Sequence, residues 1–162
     1  MVVRVKVRVC ATNEHVIALV DDIDAEAVNA RSWRLHRNGY AVATMRLKKG
    51  RPERVPLHQF ILGKFGVPID HANLDKLDNR RENLRFCSDA ENNRNRARRS
   101  DSGQPFKGIE LHFGKWRARV VSGGKRHTSS GYATPESAAM EYDHMARQFH
   151  GDFAFLNFPE GD

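Results

Sequence analysis

The stretch of residues 67–99 constrains the fold of this 162-residue chain more than any other. A short apolar run ends in Asp70 and His71, and a turn-rich polar loop follows. A second apolar run, residues 84–87, leads to Ser88, a residue type that commonly begins a helix. The spacing predicts a strand, a loop, a strand and a helix, with the polar loop between a strand end and a helix face.

Three side chains in this stretch have the chemistry that phosphodiester hydrolysis requires. His71 can take a proton from water, because the pKa of histidine lies near neutrality. The carboxylate of Asp70 and the amide oxygen of Asn92 are hard ligands suited to Mg²⁺ or Mn²⁺. An Asp-His pair alone is usually no more than a turn with a surface imidazole, so the prediction depends on the wider pattern.

Residues 1–55 predict a small β-rich platform that carries basic side chains. Residues 2–9 alternate Val with Arg or Lys, which indicates a strand with one cationic face, either an edge protected by charge or a DNA contact. Asp24 is expected to cap a short helix that ends at residue 30. Asn38-Gly39 predicts a hairpin with a type I′ turn.

A helix is predicted from Pro56 to residue 62, with Gly63 near its end. His58 lies on this helix beside apolar residues. Both a structural and a catalytic role for His58 remain open.

The last third of the chain predicts a second module after a polar linker at residues 100–106. Three strands are expected at residues 108–113, 115–121 and 125–132. A helix should begin at Thr134-Pro135 and end at Gly151. Strand alternation places Trp116 in the core and the neighbouring cations on an open face.

Charge and composition narrow the class of partner. The formal net charge of +7 favours an anionic partner such as nucleic acid. No apolar run reaches the ~20 residues of a membrane span, so we expect no membrane association and a cytoplasmic location in a bacterial or phage-infected host cell. Cys10 and Cys87 are far apart and are expected to be buried thiols, so no zinc site is expected.

The residues from Asp70 to Asn93, read D-H-A-N-L-D-K-L-D-N-R-R-E-N-L-R-F-C-S-D-A-E-N-N, closely resemble HNH endonucleases of the phage and intron homing type. The resemblance spans about residues 56–97 and implies a ββα-metal fold in its H-N-N form. It implies that Asp70 and Asn92 are metal ligands, that His71 is the general base, and that Asn83 braces the loop and orients the base. Leu74 stands where relatives commonly carry glycine, which predicts strain in the loop.

The C-terminal segment resembles an AP2 (ERF-type) DNA-binding domain. The resemblance rests on Lys107-Gly108-Ile109, Gly114-Lys115-Trp116-Arg117-Ala118 and the closing Leu156-Asn157-Phe158-Pro159. It implies a basic sheet face that enters a DNA groove. His112 and His127 are as readily ordinary strand histidines as base-reading residues.

The sequence therefore predicts an α+β protein: a β-rich platform and nuclease at residues 1–99, a linker at 100–106, and an AP2-like sheet of three antiparallel strands on one helix at 107–159. The predicted function is metal-dependent cleavage of double-stranded DNA by a monomer or weak dimer. A non-catalytic DNA-binding regulator with a dormant nuclease fold is the main alternative, and an RNA-directed nuclease is the weaker one. The residues expected to contact DNA are Arg80, Arg94, Asn95, Arg96, Arg98, Arg99, Lys107, His112, Lys115, Arg117, Arg119 and Arg126.

Overall fold

The computed structural model describes residues 1–12, 14–47, 51–97 and 103–159. Within these ranges the chain has a mixed α+β structure, as expected, and divides into two compact units, Met1–Ser88 and Asp89–Asp162. The boundary between the units precedes the helix that carries Asn92. The first three residues of the expected linker, residues 100–102, lie outside the described ranges.

The first unit contains a five-stranded sheet, two helices and a short hairpin. Its elements in chain order are β1 (Val2–Arg8), β2 (His15–Asp21), α1 (Asp22–Asn29), β3 (Arg34–Leu35), β4 (Ala41–Met45), β5 (Glu53–Pro56), α2 (Leu57–Leu62), β6 (Ile69–His71) and β7 (Leu84–Phe86). A 3₁₀ turn at Arg81–Asn83 precedes β7.

The large sheet has the strand order β2-β1-β3-β4-β5, and β6 pairs with β7 alone. Strand alternation buries one face of the large sheet against the helices, because every second residue points to the same side. Val5 and Val7 of β1 and Ala18 of β2 are buried there. Leu57 and Ile61 of α2 belong to the same core, which also includes Ile69 and Leu84 of the small hairpin.

Two local predictions for this unit were wrong. Helix α1 begins at Asp22 rather than at a cap formed by Asp24, because the Asp24 carboxylate binds the Arg81 guanidinium at 2.7 and 2.8 Å. Among the residues described in the β3–β4 turn, only Gly39 has a positive φ, of 88°, so the turn is not type I′. The bonds from Gly39 N to His36 O and from His36 N to Tyr40 O indicate a type I turn closed by a left-handed glycine.

The second unit contains a short helix, a three-stranded antiparallel sheet and a long helix. Its elements are α3 (Asp89–Arg94), β8 (Ile109–His112), β9 (Lys115–Ser122), β10 (Lys125–Thr128) and α4 (Pro135–His150). The sheet order is β10-β9-β8. The third strand is shorter than predicted, but Tyr132 still pairs with Trp116 through a single bridge.

Helix α4 covers one face of this small sheet. Ala118 and Val120 of β9 pack with Ala138, Tyr142 and Ala146 of α4. The predicted ends of the helix are confirmed, since the Thr134 hydroxyl accepts a bond from Ser137 N and Gly151 is the C-cap. The residues at the two ends of α4 were therefore sufficient to predict where this helix begins and ends.

Two further observations concern the described residues as a whole. Cys10 is exposed and Cys87 is half-buried, so the expectation of two buried thiols was wrong. In the part of the chain that the structure describes, no helix is both long and apolar enough to cross a membrane.

Candidate active site

His71 is a buried imidazole at the end of β6. Its exposed fraction is 3%, and its Nε2 lies 3.3 Å from the Oδ1 of Asn79. Because a carboxamide oxygen only accepts hydrogen bonds, this contact places the ring proton on Nε2 and leaves the lone pair on Nδ1. Asn79 is itself 1% exposed, so both partners are held in place.

Burial lowers the pKa of His71, because desolvation disfavours the imidazolium. The hydrogen bond that His71 donates to Asn79 and the nearby carboxylates of Asp70, Asp75 and Asp78 raise this pKa but do not cancel the effect of burial. The ring is therefore neutral near pH 7, which is the protonation state that can accept a proton.

Asp70 precedes His71 on β6 and is also buried, with 5% exposure. The register of the small hairpin sets Asp70 directly opposite Arg85 of β7. Arg85 donates to Oδ2 of Asp70 from Nε at 2.9 Å and from Nη2 at 2.7 Å. This cross-strand pair orients the carboxylate beside the imidazole.

Asn83 closes the loop that joins β6 to β7. Its Oδ1 accepts from the Asn73 backbone N at 2.9 Å, and its Nδ2 donates to Asn73 Oδ1 at 2.9 Å and to Asp78 O at 2.8 Å. The side chain bridges both halves of the loop. The imidazole of His71 donates its hydrogen bond to Asn79, a residue absent from the predicted site.

The platform holds this loop at three places. Leu19 of β2 donates to Leu77 O and accepts from Asn79 N, both at 2.8 Å. Arg81 N donates to Asp21 Oδ2 at 2.7 Å. Lys76 Nζ donates to Asn38 O of the β3–β4 hairpin at 2.8 Å. The position of Asn79, and through it of His71, is thus set by strand β2.

Aromatic rings enclose His71 on the side of the platform. The ring of His58 on α2 lies 5.1 Å from that of His71, and Tyr40 lies 5.0 Å from His58 and 5.8 Å from His71. The sequence named His58 as a candidate but gave no signal for Tyr40, whose proximity depends on the hairpin folding back. Burial, and then the charge of His71, lower the pKa of His58 to about 3.

Asn92 lies on α3, in the second unit, and is half-buried. Asp70 supplies a carboxylate and Asn92 an amide, which are oxygen donors of the kind that Mg²⁺ and Mn²⁺ prefer. The donor chemistry therefore fits a hard divalent ion. Within the described ranges, no three or more His, Cys, Asp or Glu residues are grouped so that they could hold a metal ion.

Three residues predicted to contact DNA are buried or form ion pairs or hydrogen bonds within the chain. The Arg80 guanidinium is bound by Asp78 at 2.7 Å and by Glu82 at 2.6 Å. Asn95 is only 4% exposed. Lys107 donates from Nζ to the carbonyls of Arg94 and Arg96 at the end of α3. The polar groups of these three residues are buried or hydrogen-bonded within the chain, and their contact with DNA stays a prediction.

Burial lowers the pKa of Lys107 to about 8, in keeping with this internal position. Arg94 is half-buried and Arg96 is exposed, with its Nη1 donating to Asn93 Oδ1 at 3.2 Å. Arg98 and Arg99 lie outside the described residues.

The open face of the small sheet carries the remaining predicted contacts. Cross-strand register places His112 opposite Lys115, Glu110 opposite Arg117, and Arg126 opposite Val121. The predicted DNA-contact residues on this face are His112, Lys115, Arg117, Arg119 and Arg126, and Glu110 lies on the same face. His127 is on the covered face instead, where its ring stacks on Phe149 at 4.1 Å. Glu110 lies 3.5 Å from Arg119 and offsets part of the positive charge.

Comparisons with known proteins agree with the chemistry of the first unit. Residues 64–94 match a family model described as HNH endonuclease. An uncharacterized HNH endonuclease of Acanthamoeba polyphaga mimivirus is 31% identical over 133 residues, which cover 80% of this chain and 68% of that protein. No solved structure matches the chain.

Proposed function

This chain belongs to the HNH endonuclease family, and on that basis we propose that it is a metal-dependent homing-type endonuclease that hydrolyses a phosphodiester bond in duplex DNA. The observation that carries the proposal is the buried imidazole of His71, held through Nε2 by Asn79 beside the carboxylate of Asp70. All three residues lie inside the segment that matches the family model.

His71 is the general base of the proposed reaction. Its Nδ1 lone pair accepts a proton from water as the water oxygen bonds to phosphorus. The bond from phosphorus to the 3′ oxygen breaks, and that oxygen leaves and is protonated, which yields a 3′ hydroxyl and a 5′ phosphate. Asn79 keeps the proton on the other ring nitrogen, so that the base is always presented in the same tautomer.

Asp70 and Asn92 would hold the divalent ion, Mg²⁺ or Mn²⁺. Such an ion supplies positive charge to the phosphate and to the departing oxygen when it is bound. Arg85 fixes the direction of the Asp70 carboxylate through its two donors. Asn83 and the bonds to Leu19 keep the loop closed, so that His71 keeps its position.

The second unit would increase the affinity for DNA and help to select the cleavage site. Its open sheet face presents Lys115, Arg117 and Arg126, and strands of this size can enter the major groove. An AP2-like mode of binding is part of the proposal. His127 takes no part in it, because its ring packs on Phe149.

Scission of supercoiled plasmid tests this function. The full chain with Mg²⁺ or Mn²⁺ should convert the plasmid to nicked or linear forms, and EDTA should stop the reaction. Asn92→Ala should abolish scission, whereas Asn93→Ala, a change at the exposed neighbour on the same helix, should not. Tight DNA binding without scission under any divalent ion would contradict the proposal and favour a non-catalytic regulator.

A further inference from the structure

A groove of about 870 Å³ lies in the first unit, lined by residues of β3, β4 and β5 and of the segments next to them. Five arginines line it, and we call it the arginine groove: Arg31, Arg34, Arg37, Arg46 and Arg54. All five are exposed. None of them forms an ion pair with a carboxylate in the part of the chain that the structure describes.

Strand register places two of these cations, Arg34 and Arg54, on the same side of the sheet. Arg34 is paired with Val42, and Arg54 with Thr44, so that these four side chains share the face opposite the core. Between them on β4, Ala43 belongs to the core and also borders the groove. The charge is therefore a property of the folded face rather than of one basic stretch of sequence.

Protection of a sheet edge can account for Arg54 on the edge strand β5, but not for Arg34. Charged residues on edge strands prevent pairing with other chains. However, Arg34 lies on β3, which is flanked by β1 and β4. An unneutralised cation on an internal strand lowers stability through repulsion from its neighbours unless an anionic partner compensates for it.

The groove shares two elements with the candidate active site, the β3–β4 hairpin and α2. His36 and Arg37 of the β3–β4 hairpin line it, and Tyr40 of the same hairpin contacts the rings of His58 and His71. Phe60 of α2 also lines the groove, two residues after His58, with the Arg31 guanidinium 4.4 Å above its ring. The hairpin and α2 therefore contribute residues both to the groove and to the surroundings of His71.

We propose that the arginine groove binds the phosphate backbone of duplex DNA beside the bond that is cut. The inference rests on the proposed function, since it places the substrate of the same site. Duplex DNA carries a phosphate charge about every 1.7 Å of axis, which suits several arginines spread over one face. A single-stranded partner would favour a row of free aromatic rings, but Arg31 covers the ring of Phe60.

Binding is tested with the full chain, a mixed-sequence DNA duplex of about 30 base pairs and EDTA, so that cleavage does not interfere. The test variant is Arg34→Gln/Arg46→Gln/Arg54→Gln. The control is Lys64→Gln/Lys125→Gln/Arg147→Gln, which removes the same charge from exposed positions outside the groove. The groove variant should lose roughly tenfold in affinity, and its log–log salt slope should flatten by about 2–3, while the control slope stays near that of the wild type.

Three results would overturn the inference: equal slopes for the groove variant and the control, no duplex binding by the wild-type chain, or a loss confined to single-stranded RNA of equal length. If the triple variant melts at a much lower temperature, Arg34→Gln and Arg54→Gln are measured singly, each with an expected slope change of about 1. If the groove variant binds duplex DNA more weakly than the control, but the wild-type chain does not cut DNA, the arginine groove is supported and the proposed function is contradicted.

Discussion

The imidazole of His58 meets that of His71 edge to face, with ring centroids 5.1 Å apart and planes at 89°. His58 is 6% exposed, and its Nδ1 has no hydrogen-bond partner in the described part of the chain. A buried imidazole in this state is neutral, because a charge would be neither hydrated nor paired. The neutral ring of His58 therefore packs against the ring of His71 and limits its orientations.

This buried neutral ring predicts acid sensitivity. The pKa of His58 is about 3 in the folded chain and about 6.5 when unfolded, so the unfolded state binds the extra proton between these values. Stability from His58 is complete above pH 6.5 and is lost as the pH falls towards 3. The free energy of unfolding should fall by up to about 1.4 kcal/mol per pH unit for this one group.

Denaturant unfolding at pH 7, 5.5 and 4 measures the effect. His58→Gln should reduce the slope by about one proton, although the nearby His71 still contributes. His15→Gln, at an exposed position on β2, is the control and should keep the wild-type slope. Equal slopes for both variants would contradict the prediction.

Leu74 has a φ of 66°, which confirms the strain predicted at this position. A left-handed backbone costs an L residue about 1–2 kcal/mol, whereas glycine adopts it freely. Leu74→Gly should raise the free energy of unfolding by about 0.5–1 kcal/mol after the greater freedom of glycine in the unfolded chain is subtracted. Leu74→Ala keeps the strain and should show no gain; a gain of the same size would point to side-chain contacts instead.

Asn83 makes three hydrogen bonds across the loop. Asn83→Ala should lower the free energy of unfolding by about 2–4 kcal/mol, since the loop would lose them and leave buried groups unpaired. Asn93→Ala on the exposed side of α3 should change it by less than about 0.5 kcal/mol. A small effect at Asn83 would mean that the backbone alone holds the loop.

Asn79 should act on the rate through His71. Asn79→Leu removes the acceptor for Nε2 at similar volume, and kcat for duplex cleavage should fall by roughly 10–100-fold with little change in KM, because the base is no longer aligned. Asn79→Asp keeps an acceptor and should recover most of the rate. If Asn79→Asp cuts as slowly as Asn79→Leu, or if only KM changes, Asn79 has a purely structural role.

Sequence patterns predicted the elements whose determinants are local. Helix α4 begins after Thr134 and ends at Gly151, as expected. Trp116 and its neighbours form a strand, as their alternation predicted. In each case the decisive contacts lie within a few residues of one another. The turn at Asn38 was assigned to the wrong type because the Asn38 side chain bonds His36 Nδ1 at 2.6 Å, which the dipeptide pattern does not include.

Long-range contacts were not predictable in this way. The local sequence around Asp24 predicts a helix cap, but the Asp24 carboxylate accepts from Arg81, which is distant in sequence. Asn79 becomes a partner of His71 only because strand β2 binds the loop through Leu19. No signal in the sequence indicates that the Lys107 ammonium group donates to carbonyls at the end of α3. These positions depend on packing between segments that no local spacing encodes.

The most direct test of the proposed chemistry is the single-turnover rate of cleavage of a labelled duplex in Mg²⁺, with the affinity for that duplex measured in parallel in EDTA. His71→Ala should cut about 10²–10⁴-fold more slowly than the wild-type chain while it binds the duplex equally well. His15→Ala, at the exposed histidine of β2, should cut at the wild-type rate. A His71→Ala chain that cuts as fast as His15→Ala would contradict the assignment of His71 as the general base.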